Sequence, residues 1–234
     1  SIYGGSIWDM VEYNNSLYVS ICTGTEDNMP NNNTMQSFAL VRGDQNADGT
    51  FTWTPVAGDQ KKDGARYTFG IDPERTRSGA ANLIVYKDHL YIGEYNDEEI
   101  ALERILFSKT GKNADGQFGG GLDCRFLNAN LDQSVNLYRM DKNENMELVV
   151  GDATKTFPNG SLSGLESGYM GQDGHGSRIN QYTSMTQIWD EDKTDDNDGV
   201  MLLGTLDEGS LLRPMVKIMN GDVEAVPELL GRNF

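Results

Sequence analysis

Residues 6–20 read SIWDMVEYNNSLYVS, and this stretch decides the fold because it returns twice further along the chain. Its first half has the aromatic and β-branched content of a strand, and Leu17, Tyr18 and Val19 begin a second strand. Between the two halves, residues 14–16 are Asn, Asn and Ser, which are turn formers that tolerate positive φ. The stretch therefore predicts a β-hairpin.

Two altered copies of this hairpin follow at residues 81–93, ANLIVYKDHLYIG, and at residues 184–205, SMTQIWDEDKTDDNDGVMLLGT. Tyr86 repeats Tyr13 at a spacing of 73 residues, and both copies keep two apolar runs around a polar turn. The turn of the third copy is longer and acidic. We therefore interpret the chain as a series of three repeats.

Each repeat continues with a second predicted hairpin, made of an apolar strand, a polar turn and another strand. These hairpins span residues 37–59 and 135–152, which both end in Gly-Asp, and residues 215–230. Helical periodicity is absent, except that the pattern at residues 98–106 does not exclude a short helical turn. The sequence thus predicts an all-β chain of about three four-stranded antiparallel units, with approximate boundaries at 6–78, 79–180 and 181–234.

Repeated four-stranded units are typical of a β-propeller, in which each unit is one blade. Closed propellers begin at about four blades, so we expect residues 1–234 to form one segment of a larger propeller. The remaining blades would come from another segment, another chain or a symmetry copy. Residues 1–5 match the approach to the third repeat, so the chain is expected to start at a blade boundary. The alternative is a compact arrangement of three sheets.

The repeat resembles that of a known family. It runs from an aromatic strand through a polar turn to an LYVG-like strand, and then through an Asp-Gly turn to a strand with Trp. It is similar to the Asp-box-like repeats of secreted bacterial and archaeal β-propeller proteins, which are mostly uncharacterised. The residues that carry the resemblance are 17–19, 90–93, 202–205, 48–53 and 178–182. The resemblance implies a propeller fold and a secreted or bacterial cell-surface location. It does not extend to sialidase activity, because Asp48 and Gly49 are adjacent and the later copies lack the Trp.

The charge of the chain argues against two classes of partner. Acidic residues number 36 against 19 basic ones, for a net charge of −17, and the sequence has no basic run. Nucleic acid and anionic membranes are therefore not expected as partners. Membrane insertion is not expected either, since no apolar run approaches the roughly 20 residues of a spanning helix. Cys22 and Cys124 either pair or stay free, because two cysteines alone do not decide between these states.

The clearest chemical motif is the run from Asp44 to Gly49, DQNADG. Alternate oxygen-bearing side chains on such a loop can converge on Ca²⁺, and the glycine permits the sharp turn. The twelfth position of an EF-hand loop would fall on Pro55, so an EF-hand is excluded. The motif therefore predicts either a calcium site or a turn capped by local hydrogen bonds. The candidate metal ligands are Asp44, Asn46 and Asp48.

Acidic pairs also follow the second strand of each first hairpin. In a propeller these loops would meet at one end of the central channel, where a ring of carboxylates can bind a cation or a basic ligand. The alternative is three independent solvated loops. The candidate ligand-binding residues are Glu26, Asp27, Asp97, Glu98, Asp207 and Glu208.

The sequence contains few catalytic groups. Its two histidines are His89, in a predicted hairpin turn, and His175, in a glycine-rich loop. We therefore expect a non-catalytic extracellular module that binds a protein or a glycan. The alternatives are a glycan-active enzyme of the sialidase or lyase kind, and a structural spacer of a surface protein. An enzyme would need clustered arginines, for which the available residues are Arg66, Arg75, Arg77, Arg104 and Arg125. The tryptophans Trp8, Trp53 and Trp189 are expected between blades, with a sugar-stacking platform as the alternative.

Overall fold

The computed structural model of the chain describes residues 6–22, 38–58, 64–68, 71–72, 78–96, 135–168, 182–193 and 199–206. These residues form strands, turns and bends, and none of them lies in a helix. The described part of the chain accordingly holds no helix of the length and apolarity that crossing a membrane requires. The predicted all-β fold is confirmed.

Eleven strands are defined in the described ranges, and ten of them lie where the sequence predicts strands. The additional strand is β5, which follows the second hairpin of the first repeat. The strands are β1 (Ser6–Tyr13), β2 (Ser16–Cys22), β3 (Ala39–Gln45), β4 (Phe51–Gly58), β5 (Tyr67–Thr68), β6 (Ser78–Tyr86), β7 (His89–Asn96), β8 (Leu137–Met140), β9 (Met146–Val150), β10 (Tyr182–Trp189) and β11 (Val200–Leu206). The predicted hairpin at 215–230 and the possible turn at 98–106 lie outside the described residues.

The strands form two sheets. The first sheet has the order β1-β2-β3-β4-β5, with antiparallel neighbours except for the short parallel pair β4–β5. The second sheet contains the consecutive antiparallel strands β6, β7, β8 and β9. The third hairpin, β10–β11, joins this second sheet through a single residue pair between β10 and β7. In the first and second repeats, the first hairpin therefore comes before the second, as the sequence pattern predicts.

The first hairpins of repeats one and two close through the same turn. Asn14 and Asn15 have φ values of 52° and 62°, and Lys87 and Asp88 have values of 45° and 61°. Two consecutive positive φ angles are typical of a type I′ turn, whose twist matches that of the flanking strands. The predicted turn at residues 14 and 15 is confirmed, and Ser16 already belongs to β2.

A β-bulge recurs at the same position of the two second hairpins. Val56 is the extra residue between the pairs formed by β3 and β4, and Val149 is the extra residue between β8 and β9. The two valines occupy the same place in the related segments PVAGD and LVVGD. The sequence likeness of the repeats therefore extends to an irregularity of their backbones.

Two apolar clusters hold the repeats together in chain order. The larger cluster lies between the first and second sheets, and the smaller one joins the second sheet to the third hairpin. Burial of these side chains is the main contribution that stabilises the stack. The larger cluster includes Tyr13, Tyr18, Phe38, Leu40, Leu83, Leu90, Ile92 and Tyr138, and the smaller one includes Tyr91, Leu137, Val150, Met201 and Leu203.

Candidate functional site

The first hairpins of the three repeats end around one open cleft with a volume of about 880 Å³. The hairpins can be compared through the pairs that close their turns, Tyr13–Ser16, Tyr86–His89 and Trp189–Val200. This comparison shows that the residue before the first closing residue and the first and last residues of the turn line the cleft in all three repeats. These sets are Glu12, Val85 and Ile188; Asn14, Lys87 and Asp190; and Asn15, Asp88 and Gly199.

The cleft presents groups of both charges beside neutral hydrogen-bonding groups. Carboxylates come from Glu12, Asp88 and Asp190, and Lys142 adds an ammonium group from the turn between β8 and β9. Lys142 Nζ lies 3.3 Å from Asp88 Oδ1, and both side chains are exposed. A second ammonium group, that of Lys87, lies 4.9 Å from the centre of the Tyr86 ring. The cleft can therefore bind ligands that combine polar or charged groups with a small apolar surface.

Two equivalent tyrosines fix the hairpin ends against one another. The Tyr13 hydroxyl lies 2.9 Å from the Asp88 carbonyl oxygen and 3.2 Å from that of Met140. In the next repeat, the Tyr86 hydroxyl donates to the Gly199 carbonyl oxygen over 2.7 Å. Burial raises the pKa of Tyr13, and the negative charges of Asp141 and Asp88 raise it further. Tyr13 therefore remains protonated and able to donate its hydrogen bond.

The turn at residues 141–145 fastens the second sheet to the first through Glu144. Its carboxylate accepts hydrogen bonds from Arg42 Nη1 at 2.6 Å and from the Tyr18 hydroxyl at 3.1 Å. Arg66 donates to the Asn143 carbonyl oxygen at 2.8 Å. Burial, followed by the negative charge of Glu144, raises the pKa of Tyr18. This polar contact sets the position of the turn that carries Lys142 into the cleft.

The predicted calcium ligands all take part in hydrogen bonds with residues of the first repeat. Asp44 accepts from the Ser16 hydroxyl at 2.6 Å and from Arg42 Nε at 3.1 Å. Asn46 donates to Thr50 Oγ1, and Asp48 accepts from both the backbone N and the hydroxyl of Thr50. Among the described residues, no group of three or more His, Cys, Asp or Glu side chains is arranged to hold a metal ion. Calcium binding at Asp44, Asn46 and Asp48 stays a prediction.

These hydrogen bonds also shift the acidity of two of the predicted ligands. The bond from the Ser16 hydroxyl, and next the bond and charge of Arg42, lower the pKa of Asp44. The bonds from Thr50 lower the pKa of Asp48. In the turn of the second repeat, the Asp141 backbone N bonds to the residue four positions on, as that of Asn46 does in the first, and the pKa of the Asp141 carboxyl is lowered mainly by bonds from Asn145. In both repeats, acidic side chains thus stabilise a turn.

The second predicted ligand site cannot be located. Its candidates Glu26, Asp27, Asp97, Glu98, Asp207 and Glu208 all lie outside the described residues, as do Cys124, His175, Arg75, Arg77, Arg104 and Arg125. Arg66 is described and binds the turn at 141–145 rather than the cleft. His89 Nδ1 lies 2.9 Å from the Lys87 carbonyl oxygen within its hairpin turn.

The three tryptophans do not form the expected core between repeats. All three are substantially exposed in the structure. Trp8 is the one that also contacts the second repeat, since its Nε1 donates to Asn82 Oδ1 at 3.0 Å and its ring packs 4.8 Å from that of Tyr95. Trp53 lies flat on Gly43, where a Cβ atom would come within 2.6 Å of its ring. Among the described residues, Trp53 and Trp189 therefore do not pack between two repeats of this chain.

The sequence reasoning missed the residues that line the cleft. It considered the loops that follow the second strands, which leave the hairpins at the end opposite to the turns. The same alignment of repeats, applied to the turns, would have marked Asn14, Lys87 and Asp190 as equivalent positions. Lys142 had no such signal, because it reaches the cleft from a different hairpin.

Comparison of the chain with known proteins found no family model, no curated protein and no solved structure that matches it. The fold and the cleft define a repeat-built all-β protein with a polar cleft at the turn ends of its first hairpins. Its function is argued from that cleft.

Proposed function

We propose that the chain forms part of a β-propeller and acts as a non-catalytic module that recognises a protein or a glycan at a bacterial surface. The observation that carries the proposal is the convergence of three equivalent turn positions on one cleft. In a propeller, the equivalent turns of successive blades surround one mouth of the central channel. Ligand sites commonly occupy such channel mouths and clefts.

The chemistry of the cleft supports binding rather than a particular reaction. The lining residues Glu12, Lys87 and Asp190 come from three different repeats and offer charge and hydrogen bonds from three sides. Such groups fix the orientation of a polar ligand, while Val85 and Ile188 offer it apolar contact. The paired strands beneath these turns hold them in place, which reduces the entropy that binding would otherwise cost.

The proposal is tested by probing glycan arrays and peptide arrays with the purified chain, followed by calorimetry on the ligands that bind. We expect Lys87→Ala and Asp190→Ala each to weaken the affinity about tenfold or more, since each removes a charge-assisted hydrogen bond. Glu147→Ala serves as the matched control. Glu147 is exposed and charged but pairs with Arg139 away from the cleft, so its removal should leave affinity unchanged.

Other outcomes would contradict the proposal in distinct ways. Unaltered affinity in both cleft variants would place the ligand elsewhere. Turnover of a bound sugar would make the protein an enzyme, and binding to neither array would favour a structural spacer.

Calcium is a separate part of the proposal, supported by the oxygen atoms that Asp44, at the end of β3, and Asn46 and Asp48, in the following turn, place close together in the sequence. If the site binds Ca²⁺, the melting temperature should rise with added calcium and fall with a chelator, because a ligand stabilises the state that binds it. Asp48→Asn should abolish this response. Equal melting temperatures with calcium and with chelator would remove calcium from the proposal.

A further inference from the structure

The third hairpin presents an open apolar face at the place where the first two hairpins bind their neighbours. Within the chain, β6 packs on β1 and β2, and β10 packs on β6 and β7. We propose that the face of β10 and β11 binds strand β1 of a second copy of the chain in the same manner. This inference rests on the repeat architecture that the proposed function also uses.

Burial shows which residues of the third hairpin stay exposed where their equivalents in the first hairpin are covered. Tyr13 and Tyr18 of the first repeat are 4% and 2% exposed, because the second repeat covers them. The equivalent residues of the third repeat, Trp189 and Leu202, are 54% and 52% exposed. Two more exposed apolar residues share this face by strand register, namely Met185 and Val200.

Strand β1 is exposed on the side where its equivalent in the second repeat, β6, is covered. Leu83 of β6 is 5% exposed, because it packs into the cluster between the first and second sheets. The equivalent residue of β1 is Met10, which is 54% exposed. Ile7, on the same side of β1, is exposed as well. The side of β1 that would meet a preceding repeat is therefore open along this strand.

The hydrogen bond that joins successive repeats also has a donor on the third hairpin and a matching acceptor on the first. Tyr13 and Tyr86 each donate to the carbonyl of the residue that precedes the second strand of the next hairpin, Asp88 and Gly199. In the third hairpin the donor at this position is the Nε1–H of Trp189. The matching acceptor on a second copy is the carbonyl of Asn15. The proposed contact thus continues an interface that occurs twice within the chain.

A second copy fits because the two complementary surfaces lie on opposite sides of the same stack. Contacts of this head-to-tail kind close into a ring when the rotation between copies permits it. Two contacts of the same kind would then join two chains as a dimer. The net charge of −17 opposes such an association, so added salt should favour it by screening.

The first test is the mass of the purified chain in solution, by light scattering after gel filtration and by sedimentation. We expect twice the 25.9 kDa of one chain, with a dimer fraction that increases with salt. Leu202→Asp and Met10→Asp should each reduce the mass to that of a monomer, because each places a charge in one half of the contact. The control is Leu162→Asp, which changes an exposed leucine of the loop after β9 and should leave the dimer intact.

Mixing the two variants tests the head-to-tail geometry. The Met10→Asp chain keeps an intact third hairpin, and the Leu202→Asp chain keeps an intact β1. An equimolar mixture should therefore form a heterodimer through one remaining contact, whereas neither variant forms a dimer alone.

A wild-type monomer at every salt and protein concentration would overturn the inference, as would dimers in both variants with unchanged circular dichroism spectra. Failure of the mixture to associate would also overturn it. The cleft variants show whether a failure concerns the dimer or the proposed ligand binding. Lys87→Ala and Asp190→Ala should lose ligand affinity without losing the dimer.

Discussion

Glu144 joins the two sheets by accepting hydrogen bonds from residues of the first sheet while it sits on a turn of the second. Its side chain is 17% exposed, and that of its partner Arg42 is 28% exposed. Glu144→Gln removes the charge but keeps the shape of the side chain. We expect this change to lower the free energy of unfolding by about 1–2 kcal/mol, as measured by urea denaturation, because the amide oxygen can still accept the bond from Arg42 but no longer carries the charge that strengthens it.

The matched control for this change is Glu147→Gln. Glu147 pairs with Arg139 at the same 2.6 Å, but its side chain is 46% exposed. Exposed ion pairs contribute little, so we expect a loss below about 0.5 kcal/mol. Equal losses in the two variants would mean that the Glu144 contact does not hold the sheets together.

The hydroxyls of Tyr13 and Tyr86 make equivalent bonds in different surroundings. Tyr13→Phe removes a donor from the part-buried Asp88 carbonyl and the buried Met140 carbonyl, whereas Tyr86→Phe affects the part-buried Gly199 carbonyl. We expect Tyr13→Phe to cost about 1–2 kcal/mol and Tyr86→Phe less, since the unpaired group is more buried in the first case. Thermal melting of the two variants side by side provides the comparison, and a larger loss for Tyr86→Phe would contradict it.

At the scale of the elements, β7 can approach β10 closely because Gly93 has no side chain. A Cβ atom at residue 93 would lie 2.6 Å from Cγ2 and 2.8 Å from Oγ1 of Thr183. Gly93→Ala should therefore destabilise the protein by about 1–3 kcal/mol, measured by urea denaturation, through overpacking between the second and third repeats. Thr183→Ala removes both of these atoms, so the double variant should lose less than the two single losses added together. Strict additivity would contradict the close approach.

Positive φ in the first hairpin turn gives a second prediction for an element. Asn15 has a φ of 62°, a region that glycine enters freely and β-branched residues avoid. Asn15→Val should cost about 1–2 kcal/mol of stability, by the steric penalty of the left-handed region. Asn15→Gly is the control, with a change expected within about 0.5 kcal/mol. Similar melting temperatures for both variants would contradict the type I′ turn.

The elements also show what the sequence could and could not predict. Apolar alternation and turn residues were sufficient to place ten strands, because local backbone preferences determine hairpins. The short strand β5 escaped prediction, since Tyr67 and Thr68 pair with β4 through a parallel contact that no local pattern marks. The cleft escaped as well, because it depends on how the repeats pack and not on any one of them.

For the whole molecule, the balance of charge determines the response to acid. The pKa values of Asp44, Asp48 and Asp141 are lowered from the ordinary 3.8 by hydrogen bonds in the folded state. The unfolded chain therefore binds more protons than the folded one near that pH, so these groups stabilise the fold above pH 3.8. The stabilisation is lost as the pH falls from there through the lowered pKa values.

We accordingly expect acid unfolding, followed by circular dichroism, to begin below pH 3.8. Between neutral pH and the isoelectric point of about 4.4, partial loss of the −17 net charge should relieve repulsion and oppose any fall in stability. Asp141→Asn should reduce the steepness of the acid transition, because the remaining amide has no proton to bind. An unfolding transition that is centred well above pH 4.4 would contradict this assignment.

The contacts of Tyr13 and Tyr86 have a consequence for how such a protein can change over evolutionary time. Both hydroxyls bind main-chain carbonyl oxygens, which every amino acid provides. The cohesion of the stack is thereby largely independent of which side chains occupy the turns. Asn14, Lys87 and Asp190 can then be exchanged while the framework persists, provided that the new residues at 14 and 87 tolerate positive φ. The cleft is in effect a variable surface on a constant support, suited both to natural diversification and to the grafting of new specificities.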